Sequence, residues 1–333
     1  MHMRTIFFAL ILFFHGFATA YNTDFDSVIV GSSPISLLEA LYRSYSGERV
    51  CIIEESEKCG GAWKSISICG VPYADMGCHQ IGSDQNVKKF LEEYIGCKMV
   101  ALDYPEIEFG SSKQQGVNGF YPSKGCYELI TNIMNLIRST DIVLLTGYKL
   151  ESIYVDEERN SIDIKTKDHL FSTSKIVVTP STYLYIENHP SGRKPSSSTI
   201  KYYHVYLLID DPTPPRFIHK YSAGAGISRL MNLSYFSDLI GTGMQLVAVQ
   251  THNEHYLNHH NEFFEQIKKN NLIDPSATLV RGEGCVYEQS HLDTSLTRQY
   301  KASLIEVLNT GHFLAMAGYV SKWKTVFKPL NKI

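Results

Sequence analysis

The residues whose types and spacing carry chemistry begin at Gly31-Ser32-Ser33-Pro34-Ile35-Ser36. A short β-branched run, residues 27–30, precedes this segment. A helical pattern over residues 37–45 follows it, with Leu37, Leu38, Leu41 and Tyr42 on one face, and Gly47 stops that helix. Residues 49–53 read as a second strand that ends in Glu54, 23 positions after Gly31. Strand, turn, helix, strand and acid in this order is the layout of a dinucleotide-binding unit. A diphosphate needs backbone N–H groups at a helix N-terminus, where the helix dipole favours negative charge. The first glycine lets the strand turn sharply, and the acid after the second strand accepts hydrogen bonds from ribose hydroxyls. The pattern is degenerate, because Ser33 and Ser36 stand where the second and third glycines are expected. Serine is small, but it allows a less close approach than glycine.

Glu54-Glu55-Ser56-Glu57-Lys58-Cys59-Gly60-Gly61-Ala62-Trp63 then places a glycine pair six residues beyond the acid. This segment resembles the second signature of FAD-dependent amine oxidases and their relatives, which include phytoene desaturases, protoporphyrinogen oxidases and UDP-galactopyranose mutases. The resemblance implies that Glu54 binds the adenosine ribose and that Gly60 and Gly61 let the backbone approach the pyrophosphate and flavin. Family members often carry arginine directly after the pair, whereas this chain has Ala62-Trp63-Lys64, so a basic contact comes only from Lys64. Tyr73-Ala74-Asp75-Met76-Gly77-Cys78-His79 resembles the family's turn beside the flavin. Tyr121-Pro122-Ser123-Lys124-Gly125 resembles its proline-glycine segment that opens a helix. Gly147-Tyr148-Lys149-Leu150 resembles the strand that lends backbone contacts to adenine, with Leu150 where valine is common. Lys175-Ile176-Val177-Val178-Thr179-Pro180 resembles the strand that returns to the main sheet.

Together these segments imply an α/β fold: an FAD-binding Rossmann-like three-layer domain with an inserted β-rich substrate domain. The implied cofactor is FAD. The implied cofactor-binding set is Gly31, Ser33, Pro34, Ser36, Glu54, Glu55, Gly60, Gly61, Ala62, Trp63, Gly77, His79 and Leu150. The implied division is a leader over 1–20, a nucleotide-binding body over 21–180 and 286–333, and an insertion over 181–285. Within the body, residues 142–145 read as a strand, and three short strands at 153–155, 162–164 and 169–171 form a meander with a turn at 157–160. In the insertion, 202–209, 216–220, 231–236 and 244–250 read as strands and 261–270 as a helix. Residues 190–198 read as an exposed linker. Tyr202, Tyr203, Tyr206, Tyr221 and Tyr235 fit either an aromatic pocket or a packed sheet face. Near the end, residues 304–309 read as a strand, Thr310-Gly311-His312-Phe313 as a turn and 314–326 as a helix.

The 333 residues are 44% hydrophobic and 20% charged, with a net charge of -3, which excludes a disordered chain and charge-driven nucleic-acid binding. Residues 1–20 carry an early positive charge, a ten-residue apolar run and Ala18-Thr19-Ala20, which predicts a secretory leader cleaved after Ala20 and a mature chain without stable membrane insertion. Seven cysteines are too few for a disulfide-stapled miniprotein, and no C-x-x-C or zinc spacing occurs. Cys51 reads as a small buried hydrophobe. Asn232-Leu233-Ser234 is a sequon, so a eukaryotic host allows an N-glycan at Asn232. His252, His255, His259 and His260 cluster, but H-E-x-x-H is absent and no metal site is expected. No catalytic residue is identified; His79 and His312 lie beside the turns that the resemblance places at the flavin. The leading expectation is a secreted FAD-dependent oxidoreductase acting on a small molecule. The alternatives are a non-catalytic protein of the same fold and a flavin-dependent sugar mutase, and the lack of an arginine cluster for a sugar diphosphate counts against the mutase.

Overall fold

The computed structural model describes residues 24–308 apart from 78, 80, 105–106, 110–111, 116, 190–197, 213–217, 222–225, 237–242, 294, 296–297 and 302, together with Val320, Trp323 and Val326. The leader, most of the linker and the turn holding His312 lie outside the described residues.

The chain opens with β1 (Asp24–Phe25), β2 (Ser27–Val30), α1 (Pro34–Tyr45) and β3 (Val50–Glu54). A 3-10 turn over Gly61–Trp63 leads to the hairpin β4 (Ser65–Ile68) and β5 (Val71–Asp75). Next come α2 (Gln85–Glu93), β6 (Met99–Tyr104), β7 (Ile107–Phe109), β8 (Ser112–Gln115), β9 (Val117–Pro122) and α3 (Gly125–Arg138). β10 (Val143–Thr146), β11 (Leu150–Asp156), β12 (Ser161–Thr166), β13 (Leu170–Thr173) and β14 (Ile176–Val178) complete the first half. The second half holds β15 (Ser198–Asp210), β16 (Ile218–Tyr221), β17 (Ile227–Asn232), β18 (Met244–Thr251), α4 (His260–Lys269), β19 (Thr278–His291) and β20 (Ile305–Val307).

The central sheet has the order β10-β3-β2-β14-β20, and every neighbouring pair is parallel. A parallel sheet must be covered on both faces, which is why β2 and β3 are apolar and wholly buried. Side chains alternate across it. Ile29, Val50 and Ile52 pack with α1 and α3 on one face. Val28, Val30, Cys51 and Ile53 pack with the β11-β12-β13 meander on the other. Helix, parallel sheet and antiparallel meander therefore make the three layers that the sequence implies.

β15 is a long interior strand, next to the edge strand β19, of a second, seven-stranded sheet of order β19-β15-β18-β17-β16-β8-β7. α4 packs over one face of it through Phe263, Phe264 and Ile267. The opposite face packs Tyr206, Leu208, Leu246 and Ala248 against Ile68, Val71, Ala74 and Tyr121 of the first half. This sheet runs past residue 285 to His291 and takes β7 and β8 from before residue 181.

One local expectation is corrected. The strand expected over 231–236 ends at Asn232, and Leu233–Phe236 turns into a 3-10 helix. Asn232, the sequon asparagine, is tied into the fold. It is fully buried, its Nδ2 donates to Gln245 Oε1 at 3.0 Å, and its Oδ1 accepts from the Ser234 amide at 3.0 Å. No helix among the described residues is long and apolar enough to cross a membrane.

Candidate functional site

The turn after β2 is built around Gly31, whose φ of +89° an L side chain rarely adopts and whose amide donates to Ile53 O at 2.8 Å. A Cβ here would meet nothing within 4 Å, so the backbone angle alone requires glycine. Ser33 caps α1, and its Oγ accepts from the Ser36 amide at 3.2 Å. Pro34 takes the first helical position, where a missing N–H costs nothing.

Glu54 closes back onto this loop. Its Oε2 accepts from the Ser32 amide at 2.9 Å and from Ser32 Oγ at 2.6 Å, and its Oε1 accepts from the Ser56 amide at 2.7 Å. The glycine pair joins the same junction, since the Gly60 amide donates to Ser32 O and Ser32 Oγ, each at 3.0 Å. A Cβ on Gly61 would lie 3.6 Å from Ser33 Cα and Cβ. Tyr148 donates its amide to Glu54 O at 3.0 Å, which brings the segment before β11 alongside. The structure thus assembles Gly31, Ser33, Pro34, Ser36, Glu54, Gly60, Gly61 and Ala62 at one end of the parallel strands. Glu55 stands apart from them: it is exposed and pairs with Lys149 at 3.1 Å. Leu150, two residues beyond Tyr148, buries its side chain in the same core cluster as Val30 and Ile53, while its implied contact is through the backbone.

The chemistry of the donors fits a diphosphate. Among the described residues, the amides of Ser33, Ile35, Gly61 and Ala62 have no hydrogen-bond partner, and they flank the helix N-terminus and the glycine pair. Two unengaged N–H groups at a helix start, with two more on the glycine-pair turn, are donors an anion can use.

A second cluster lies where the hairpin meets the seven-stranded sheet. His79 Nε2 stands 2.7 Å from both Ala62 O and Met76 O. Both partners are acceptors, so Nε2 carries the proton. The ring also stacks on Trp63 at 4.7 Å and 17°. His79 and Trp63 therefore tie the glycine-pair turn to the Gly77 turn, and burial lowers the His79 pKa. Gly77 is pressed against His204, and a Cβ there would come within 2.9 Å of the His204 ring. His204 is 5% exposed, and its Nδ1 has no partner among the described residues. Burial first, then the neighbouring His79 and Arg229, lower its pKa to about 4.

Asp75 has a structural task that sequence reasoning missed. It accepts from the Cys126 amide at 3.0 Å through both oxygens, so it caps α3 from a distant strand. It also accepts from Tyr121 Oη at 2.5 Å and Ser65 Oγ at 2.9 Å. Burial raises its pKa against the pull of those bonds. Tyr206 is core and not pocket: fully buried, its hydroxyl donates to Asp75 O and accepts from the Gly77 amide. The side chains of Tyr221 and Tyr235 lie outside the description.

The histidine cluster is engaged in the fold. His255 and His259 stack at 3.8 Å, His255 pairs with Glu262 at 2.8 Å, and His260 Nε2 donates to Leu257 O at 2.7 Å. No group of three potential metal ligands occurs among the described residues. Cys51, Cys59, Cys69, Cys97, Cys126 and Cys285 are free thiols, and burial raises the pKa of each.

No protein-family model and no curated protein sequence matches the chain. Solved structures do match it. The Rab GDI of Plasmodium falciparum aligns over 90% of this chain and 97% of its own, at 11% identity and a TM-score of 0.58. NikD, an unusual amino acid oxidase essential for nikkomycin biosynthesis, aligns over 90% of this chain and 92% of its own, at 11% identity and a TM-score of 0.52. An oxidoreductase of Methanosarcina mazei aligns over 79% of this chain and 87% of its own, at 11% identity and a TM-score of 0.52. The fold is therefore the α/β one, with a Rossmann-like body, that the Rab GDI, the amino acid oxidase and the oxidoreductase share.

Proposed function

We propose that the chain is an exported flavoprotein oxidoreductase that binds FAD at the Ser32–Glu54–Gly60 junction and oxidises a small molecule beneath the seven-stranded sheet. The observation that carries the reading is the junction itself. A β-α-β unit, its terminal acid and a glycine pair meet within hydrogen-bond distance, beside four unengaged amides. In this reading Glu54 holds the adenosine ribose, and the amides of Ser33, Ile35, Gly61 and Ala62 hold the diphosphate. A flavin held there by these residues would supply hydride-accepting chemistry, with dioxygen as the electron acceptor. The chain's own contribution is position and dryness. The Trp63–His79 stack and the Gly77–His204 contact pack the glycine-pair turn and the Gly77 turn against the second sheet. His79 serves as a brace in this arrangement, because its proton is fixed between two carbonyl oxygens. Export through a leader ending at Ala20 is part of the proposal and rests on the N-terminal sequence.

The test is peroxide release by the FAD-loaded chain across panels of amines, thioethers and reduced nicotinamides. Turnover of one class supports an oxidase. A loaded protein that turns over none of them supports a second reading, a non-catalytic protein of this fold. That reading is favoured by one observation: the Glu54 carboxylate already accepts three hydrogen bonds from Ser32 and Ser56.

A further inference from the structure

We propose that Ser33 competes with the diphosphate for its own loop, so that the chain takes up and releases FAD instead of keeping it as a resident group. The inference rests on the flavin reading above. The fingerprint has glycine at this position so that nothing stands between backbone and diphosphate. Here Ser33 carries a Cβ that lies 3.6 Å from the place where a Gly61 Cβ would be. The helix-start loop and the glycine-pair turn, which would flank the diphosphate, are already tied together by the Gly60 amide, which donates to Ser32 O and Ser32 Oγ, with Ser33 next to that tie. Its hydroxyl accepts from the Ser36 amide at 3.2 Å and lies 2.9 Å from Ser36 Oγ. That amide is one of the helix-terminal donors an anion would otherwise use. Pro34, next in sequence, has no N–H to offer. A diphosphate that draws on the Ser36 amide beside the four unengaged ones must displace the Ser33 side chain and undo its cap. The loop is therefore stable without nucleotide, and the binding free energy is reduced by the cost of opening it.

The experiment is FAD titration of the full chain by flavin fluorescence, with release followed after dilution, for the natural protein, Ser33→Gly and Ser33→Ala. Glycine at a helix N-cap costs only a few tenths of a kcal/mol relative to serine, so Ser33→Gly is expected to fold. It should bind FAD about tenfold more tightly, equivalent to about 1.4 kcal/mol, and release it more slowly. Ser33→Ala frees the Ser36 amide but keeps the Cβ, so its affinity should fall between the other two. If Ser33→Gly binds no more tightly than the natural chain, or if the natural chain purifies with stoichiometric FAD that survives dialysis, the inference is wrong and the flavin reading stands. If none of the three binds FAD, both are wrong.

Discussion

His204 is the residue whose surroundings make the sharpest demand on pH. It faces His79 from the hairpin side and Arg229 on β17, both cationic when protonated, and it is almost completely buried. Its folded pKa of about 4 lies below the value of 6.5 for free histidine. Between these values the unfolded chain binds a proton that the folded chain refuses, so stability is complete above pH 6.5 and lost as pH falls toward 4. The loss is on the order of 3 kcal/mol, at about 1.4 kcal/mol per pKa unit. Denaturant unfolding at pH 7 and pH 4.5 measures it. His204→Gln should lose less stability than the natural chain over that interval, and an equal loss in both would show that another group is responsible.

At the scale of elements, the C-terminal strand is fastened to the first helix by one buried cation. Arg43 on α1 bonds Glu39 at 2.6 Å, Glu48 at 3.1 Å, Ser27 Oγ at 3.0 Å and Glu306 of β20 at 2.7 Å. Burial lowers the Arg43 pKa, but the three carboxylates outweigh it and the net shift is upward. Arg43→Ala leaves Glu39, 3% exposed, without its partner. Breaking a buried pair in this way typically costs about 3–5 kcal/mol, so the variant should unfold at markedly lower denaturant concentration. An unchanged midpoint would mean that the network adds no stability. The parallel sheet beside this cation was legible in sequence, because β2, β3 and β14 are short runs rich in β-branched residues between clear turns. β19 was not. Its sequence, Thr278–His291, mixes Arg281, Glu283 and Glu288 with Gly282 and Gly284, so it lacks the apolar alternation of a strand. It forms because β15 supplies a continuous partner and because His260 and Leu257 pack close above its two glycines. Tertiary pairing of this kind leaves no local mark. The same holds for Asp75: its residue type was visible, but its use as a cap for α3, 51 positions away, follows from the hairpin's placement.

For the whole molecule, the division of labour is between a parallel sheet that presents a helix N-terminus and a second sheet that covers the adjoining turns. The fold alignment spans 97% and 92% of the Rab GDI and NikD chains, so a chain of this length accommodates the fold. The ordered segments between Gly31 and Val178 were sufficient to infer the parallel sheet, because each pairs a strand with the turn that follows it. The cover was less legible, since its packing depends on contacts such as Gly77 against His204 that join distant parts of the chain. The central claim is that this architecture still binds a flavin nucleotide at the Glu54 junction, and a single comparison tests it most directly. FAD is titrated into the full chain and into Glu54→Ala, unbound nucleotide is removed, and the protein-associated flavin is read by absorbance at roughly 370 and 450 nm, the bands of the cofactor that would carry the chemistry. The account predicts saturable binding by the natural chain and affinity lower by about tenfold or more in Glu54→Ala, as expected for loss of a charge-assisted hydrogen bond of about 1.5–3 kcal/mol. A natural chain that retains no flavin after exposure to high FAD, or a Glu54→Ala variant that binds equally well, would contradict it.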